Sequence, residues 1–511
     1  MFKGLQCILL ISSMLSISLF GGKNIGLTKE IDNQRECVVC SVKSAVTEGS
    51  EEYVLGYTDG FWVEEDETVY LLNSYGSAVL EVKKKMQREI PLSASALPAD
   101  IISDSENLYI FDDALYELQI YTKQGGLLLR TKIELKNDYV KDLVKTKEGI
   151  GVLTYGGKQI PVNPDNGKLQ MSEATLIPKI ETAGYDFAEY VGTDEDGTLY
   201  SVHTTLIDKC SVISGELTLR AVTKDGVLKG SYVLATPEYM YLPGKYVHVT
   251  EAGNIYLLAP NEETVEVQKI ALKEEPVALL DVISEEASAL ESKYASDVQS
   301  RKRSGLACTD KIKMSRAEAR KRADAMAEYK WTLQKTHTLT SKSEKGVTLP
   351  RDVAYYKAQN ASKSSWNEEM TGIPYCWGGF YALDVGFGKK TFPEVLNKKY
   401  VAGNIEPVGN YKYMTAGLDC SGYVSAVFGF TSKKNTGALA CLGSIVSDVR
   451  KLKQMDLLVW PGEHIIFFCE WIDDATMLVT ESNVRNGKVI IHPKTVNELI
   501  VSKRYQMRSP W

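Results

Sequence analysis

Residues 417–430 read "GLDCSGYVSAVFGF". Tyr423, Val424, Val427 and Phe428 recur at helical spacing, and Asp419 stands where an N-cap belongs, directly ahead of Cys420. The stretch predicts a largely apolar helix with a thiol in its first turn. The positive end of the helix dipole favours thiolate there, whereas buried structural cysteines sit mid-face among Leu and Val. Taken alone, the cysteine is more readily a small buried hydrophobe. What decides between the two is whether a base reaches it.

The segment "DLLVWPGEHIIFFCEW", residues 456–471, puts His464 at the start of a strongly apolar strand behind a Pro-Gly turn. A second strand, "TMLVTES" at 476–482, follows the short turn "IDDA". Paired as an antiparallel hairpin, the start of the first strand lies beside the end of the second, so His464 neighbours Glu481, Ser482 or Asn483. A thiol, an imidazole and a polar third residue that orients the ring make the nucleophile of a thiol peptidase. His492, in "KVIIHPKT", is followed by proline at a strand end and reads as a surface or structural residue. No paired His/Cys spacing brings four ligands together, so neither a metal nor another cofactor is expected.

The chain has 511 residues, long enough for roughly two to four domains. At 44% hydrophobic and 24% charged it has the composition of a globular protein. Its net charge of -7 argues against nucleic acid as a partner, which would call for a basic stripe. The opening "MFKGLQCILLISSMLSISLFGGK" has a lysine, an apolar run flecked with serine and a Gly-Gly exit. That order predicts a signal peptide over 1–22, with a membrane anchor as the alternative. The mature chain is then exported to the periplasm or beyond, soluble, and expected to be a monomer. Eight of the nine cysteines follow that segment. If one is a free nucleophile, seven remain, and an odd number cannot all pair internally. Cys37 and Cys40 form a C-x-x-C without a second pair at zinc spacing, which suggests a local disulfide or two plain thiols.

From 45 to 275 the chain is written in short β-runs. An acidic or Gly/Asn turn followed by an apolar-aromatic strand recurs as "EDETVYLL", "SENLYIFD", "DEDGTLYSV" and "EAGNIYLL". The tyrosines of these phrases, Tyr70, Tyr109, Tyr200 and Tyr256, stand roughly 40 to 56 residues apart, except for one wide gap that the weaker copy "KEGIGVL" fills. Strand repeats of that period are propeller blades, which bury their faces only against neighbours. Five copies plus an allowance for degenerate ones predict about six blades, and a pair of β-sandwiches is the alternative. After 275 the text turns charged and helix-prone, so 276–309 reads as a linker. "SRAEARKRADAMAEYKWTL", 315–333, then begins with the Ser and Glu of a capping box and opens a second domain over 310–511.

The first half resembles six-bladed NHL-like propellers. In the second, "GIPYCWGGF", "GLDCSGYV" and "DLLVWPGEHIIFF" resemble, in that order, the signature segments of NlpC-type cell-wall peptidases, which are papain-like cysteine enzymes. The resemblance implies an α+β fold in which the helix bearing Cys420 packs on an antiparallel sheet carrying His464. It implies Cys420 as nucleophile and His464 as base. Tyr375 would line the site near the oxyanion position, and Asp419 and Ser421 would help to hold the amino end of a peptide. Glu481 is the third residue by alignment of "VTES", with Asn483 in reserve. Substrates would be peptidoglycan stem peptides or muropeptides, cut beside γ-linked D-glutamate, and the propeller would bind a protein or glycan. The sequence departs from the family in the long segment 376–419 between Tyr375 and Cys420, rich in Tyr, Phe, Gly and Lys, which puts substrate preference in doubt. Two other functions stay open: an amidase or acyltransferase acting on a non-wall substrate, or a propeller-based binding protein with an inactive second domain.

Overall fold

The computed structural model of the chain describes residues 37–43, 58–278 and 312–511, apart from 74–76, 85, 137, 179, 181–185, 207–214, 235–244, 261–263, 339–345, 407–410, 461 and 503–504. The expected signal peptide lies outside the described residues, as does the expected linker from 279 onward. Among the described residues no helix is long and apolar enough to cross a membrane.

Five antiparallel sheets make up the first part. Three are built from consecutive strands, starting with Thr58–Val63, Pro98–Ser103 and Val140–Thr146. The fourth starts with Asp186–Thr193 and gains Lys273–Ala278 as a fifth strand. The fifth, starting with Val247–Val249, takes its outer strand from Cys37–Lys43. The first strands of the sheets meet in a ring. A Cβ on Gly60 would stand 3.1 Å from Asp100 Oδ1. Leu143 N donates to Asp100 Oδ2, and Lys141 Nζ lies 3.0 Å from Glu189 Oε1. A Cβ on Gly192 would stand 3.8 Å from Val249 Cβ, and His248 Nε2 reaches the Val63 carbonyl at 3.1 Å. The arrangement is propeller-like, with each sheet burying its faces against its neighbours.

The described sheets number five, not about six. Each copy of the repeated phrase falls on the second strand of one sheet: Val69–Asn73, Asn107–Asp112, Gly149–Thr154, Leu199–Leu206 and Ile255–Pro260. The wide gap between Tyr109 and Tyr200 holds one sheet whose second strand lacks the tyrosine, and among the described residues no sixth sheet of this kind is present. The phrase itself has a physical cause. Asp104 accepts from the backbone N–H groups of Glu106 and Asn107 and from the Tyr109 hydroxyl at 2.8 Å. Asp194 accepts from Thr198 N and the Tyr200 hydroxyl in the same way. The acid closes the turn and anchors the strand's tyrosine. Both expected boundaries also move. Cys37–Lys43 precedes residue 45 and Lys273–Ala278 runs past 275, because the last two sheets borrow strands from outside the repeat.

The second part is built on a six-stranded antiparallel sheet. In order it runs Ser444–Ile445, Gln506–Ser509, Leu457–Trp460, His464–Trp471 (the histidine strand), Thr476–Asn483 (the glutamate strand) and Lys488–Thr495 (the edge strand). Alternation sends Ile465 and Phe467 to one face and Ile466 and Phe468 to the other. The first face packs against the helices Arg316–Ala327 and Cys420–Val427, with Tyr423 and Phe428 edge-on to Phe467 at 5.9 and 5.2 Å. Ser315 caps the former helix by accepting from Glu318 N.

The second face is covered partly by the propeller-like part. Phe187 joins Ile466, Phe468, Met477 and Val479 in one core and stacks on Trp471 at 6.0 Å. Asn497 Nδ2 donates to Glu189 Oε2 at 3.0 Å and to the Tyr246 hydroxyl at 3.2 Å, and Asn486 Nδ2 to Asp113 Oδ2 at 2.9 Å.

Candidate active site

Cys420 is the first residue of its helix. Asp419, with extended backbone, caps that helix by accepting from Gly422 N at 2.6 Å and from Ser421 Oγ at 3.1 Å. Gly422 is demanded by packing: a Cβ there would stand 2.2 Å from the Gly379 carbonyl oxygen. The loop "YCWGG" and the start of the cysteine helix thus interlock. Leu418 and Pro374 also bond, N to O, at 3.1 Å, as do Cys376 N and Leu418 O. This fixes Tyr375 beside the helix start. Burial, with Cys420 and Asp419 close by, pushes its phenol well above the ordinary value.

Cys420 Sγ lies 3.8 Å from the carbonyl oxygen of Glu463, the residue before His464. The imidazole of His464 bonds Glu481, and the Cys420 thiol is near enough to favour its charged form. Its Nε2 is spent on Glu481 Oε2, which leaves Nδ1 for the thiol. Burial works against a charged ring here, but the Glu481 carboxylate, the bond to it and the Cys420 thiol outweigh it and push the ring up to about 10. At neutral pH the imidazole is therefore a cation beside the thiol. Glu481 itself is buried, which opposes its charge. Lys494 and His464 reverse that and hold its carboxyl well below the usual range.

The other cysteines are set apart from this arrangement. Burial pushes the thiols of Cys376 and Cys469 up to about 12, so neither supplies thiolate near neutrality. Cys376, Cys420, Cys441 and Cys469 are free, and Cys441 is exposed. The side chains of Cys37 and Cys40 lie outside what is described.

Cys420, His464 and Glu481, selected from sequence, are brought together, with Tyr375, Asp419 and Ser421 around the cysteine. Asn483, the reserve third residue, is not at the ring; its Oδ1 accepts from Asn486 N at 2.7 Å and closes the turn to the edge strand. Sequence reasoning missed two groups. His492 Nε2 donates to Glu481 Oε1 at 2.6 Å, and Lys494 Nζ lies 3.6 Å from the same oxygen. Of the two readings of His492, surface or structural, the bond to Glu481 favours the structural one. The signal was available in the alternation of "KVIIHPKT": Val479 pairs with His492 and Met477 with Lys494, so both share the face of Glu481. Tyr505 is a third such neighbour, its phenol driven well up by burial and by Glu481 and Cys420. Among the described residues no group of His, Cys, Asp and Glu has the geometry of a metal site.

The segment 376–419 is folded upon its own aromatics. Tyr381 meets Phe387, Tyr400 and Tyr411 at 5.5, 6.0 and 6.1 Å, while Phe392 packs edge-on to Trp331 at 5.7 Å. Trp377 is half-buried. A separate cavity of about 990 Å³ opens at the propeller-like part, between Trp62, Asp104, Tyr190 and Lys245, and does not include Cys420.

No family model matches the chain, and no curated protein matches it either. Among solved structures it is similar to a streptogramin B lyase, with 12% identity and a TM-score of 0.28, covering 46% of this chain and 88% of that one. It is also similar to a virginiamycin B lyase from Staphylococcus aureus, at 11% identity and a TM-score of 0.28, covering 46% and 89%. A member of the DUF4221 family from Bacteroides vulgatus shares 10% identity at a TM-score of 0.30, covering 47% and 98%. The likeness spans less than half of this chain and bears on none of its activities.

Proposed function

We propose that residues 310–511 form a papain-like cysteine peptidase of the NlpC type, which hydrolyses peptidoglycan stem peptides beside γ-D-glutamyl in an exported protein. The observation that carries this is the placement of Cys420 at its helix start against Glu463 and His464, with the imidazole held in turn by Glu481. A thiolate beside an imidazolium is the resting form of a thiol nucleophile. It attacks the scissile carbonyl, and the imidazolium gives its proton to the leaving amine. Water, deprotonated by the same imidazole, then releases the acyl group. The three signature segments, with the interlock of Gly422 and Gly379, support the family assignment. Digestion of purified muropeptides, read as product masses, tests it. The wild-type chain should cut beside γ-D-glutamyl, and Cys420→Ala should fall by about 10⁴-fold or more with its fold intact. Equal turnover in that variant would remove the cysteine mechanism.

One observation favours a second reading. Asp419, expected at the amino end of the peptide, already faces Lys433 Nζ at 2.7 Å. A substrate ammonium would have to displace that lysine. An amidase or acyltransferase working on a substrate without a free amine meets no such competition, and an intact muropeptide series beside turnover of N-acylated peptides would favour it.

A further inference from the structure

The glutamate strand lies between the histidine strand and the edge strand, so its carboxylate can be gripped from both sides. It is. One oxygen of Glu481 takes the His464 N–H, and the other takes His492 Nε2–H at 2.6 Å with Lys494 Nζ at 3.6 Å. Both histidines are about one-fifth exposed, while the carboxylate between them is 2% exposed. A carboxylate held at one oxygen only can rotate about its last bond and release the ring it orients. Held at both, it has one orientation. Lys494 alone is a poor clamp, because an ammonium is a point charge without the directional fit of a ring N–H and stands beyond hydrogen-bond length.

The edge strand is itself backed by the propeller-like part. His492 lines a cavity of about 220 Å³ that Asp142, Glu189, Tyr246 and Glu498 also line. Glu189 and Tyr246 also accept from Asn497, just past the edge strand. Asn497 just after the edge strand and Asn486 just before it, which donates to Asp113, thus tie both ends of that strand to the propeller-like part.

We propose that His492 is a positioning residue of the thiol site, clamping Glu481 Oε1 so that Oε2 stays on His464, with the propeller-like part as its backing. The inference rests on the proposed Cys420–His464 nucleophile and adds the means by which its third residue is aimed. The titratable and charged groups facing the carboxylate are His464, His492 and Lys494, with Glu498 and Arg485 near Lys494 and Tyr505 also close by.

The test is the rate of iodoacetamide labelling of Cys420 across pH in the full chain, mapped by peptide mass and compared with the exposed Cys441. It needs no substrate. His492→Phe keeps the ring volume without an N–H, and His492→Gln keeps an N–H donor on a flexible stem; His492→Ala repeats the loss with a smaller side chain. In metal sites, partners that orient a ligating imidazole change affinity or activity by about 10–100-fold, and the same order is expected of this clamp. The Phe and Ala variants should label Cys420 about 10-fold more slowly at neutral pH, with the labelling profile moved to higher pH. The Gln variant should stay within about threefold of wild type. A wild-type profile in the Phe and Ala variants, or a Gln variant no better than Phe, overturns the clamp. If Cys420 of the wild-type chain labels no faster than Cys441 at neutral pH, the nucleophile itself fails and the clamp with it.

Discussion

Glu481 Oε2 accepts from His464 Nε2 across two neighbouring antiparallel strands, and the ring so held is pushed up to about 10. The bond joins residues that the sequence separates by a strand, a turn and most of a second strand. It exists because the register pairs Phe467 with Thr480, which leaves the end of the glutamate strand beside the start of the histidine strand.

Replacing that carboxylate should separate orientation from charge. Glu481→Gln keeps the shape, yet its amide has one accepting oxygen where Glu481 serves His464 on one side and His492 and Lys494 on the other. Its NH₂ must then face a donor. A loss of about 10–100-fold in turnover is expected, and Glu481→Ala, which lacks both oxygens, should be worse. Asn483→Ala should leave turnover nearly unchanged, since that side chain closes the turn at Asn486. Loss in Asn483→Ala with normal turnover in both Glu481 variants would make Asn483 the third residue.

The same pair should leave a mark on stability against pH. Because His464 is raised, its contribution is fully present below the ordinary imidazole value of 6.5 and is lost as pH climbs through about 10. Because Glu481 is lowered, its contribution is present above 4.5 and is lost as pH falls through its depressed value. The pair is fully stabilising between about 4.5 and 6.5 and fades toward 10. Urea unfolding of wild type and Glu481→Gln should differ by on the order of 3 kcal/mol in that window. The gap should narrow on the alkaline side, and a gap that widens there would contradict the cationic imidazole.

The sequence displayed the cysteine helix, its Asp cap and the hairpin because each is local: a 3.6 period, a cap and a turn lie within a few residues of what they organise. The propeller-like repeat was legible for the same reason, each copy being an acid-tyrosine turn such as Asp104 with Tyr109. The borrowed strands at Cys37–Lys43 and Lys273–Ala278 were not, since nothing in a strand states which distant sheet it will join. His492 was hidden likewise. Its proline neighbour suggested a strand end and a surface or structural residue, while its partner is fixed by the register of the edge strand against the glutamate strand.

Gly422 offers a test of the interlock around the nucleophile. Gly422→Ala retains the thiol, the imidazole and the carboxylate, but its new Cβ would stand 2.2 Å from the Gly379 carbonyl oxygen. Backbone cannot yield as a side-chain tip does, so the loop bearing Tyr375 must move away from the helix start. Overpacking of this kind costs about 1–3 kcal/mol. Turnover should fall by more than the melting temperature suggests, because the displaced loop flanks the reacting thiol. Full activity in Gly422→Ala would show that the loop does not shape the site.

Phe187 decides whether the two parts of the chain can be separated. The sequence places a charged linker at 276–309 between the β-repeat and a second domain. Phe187 instead sits in the core of the second part, stacked on Trp471, with the Arg450 guanidinium 4.8 Å above its ring. Asn497 and Asn486 add polar bonds across the same junction. Cutting the chain between the parts would expose Ile466, Phe468, Met477 and Val479 to water wherever the ring had covered them. Truncating the ring alone, as Phe187→Ala, should cost about 3 kcal/mol and be seen as one lowered, cooperative transition in calorimetry. The isolated piece 310–511 should melt well below the full chain, or associate, and label Cys420 more slowly than the full chain does. Two separate transitions in the intact protein, with Phe187→Ala shifting only the first, would show that the parts fold alone and that the shared core contributes little.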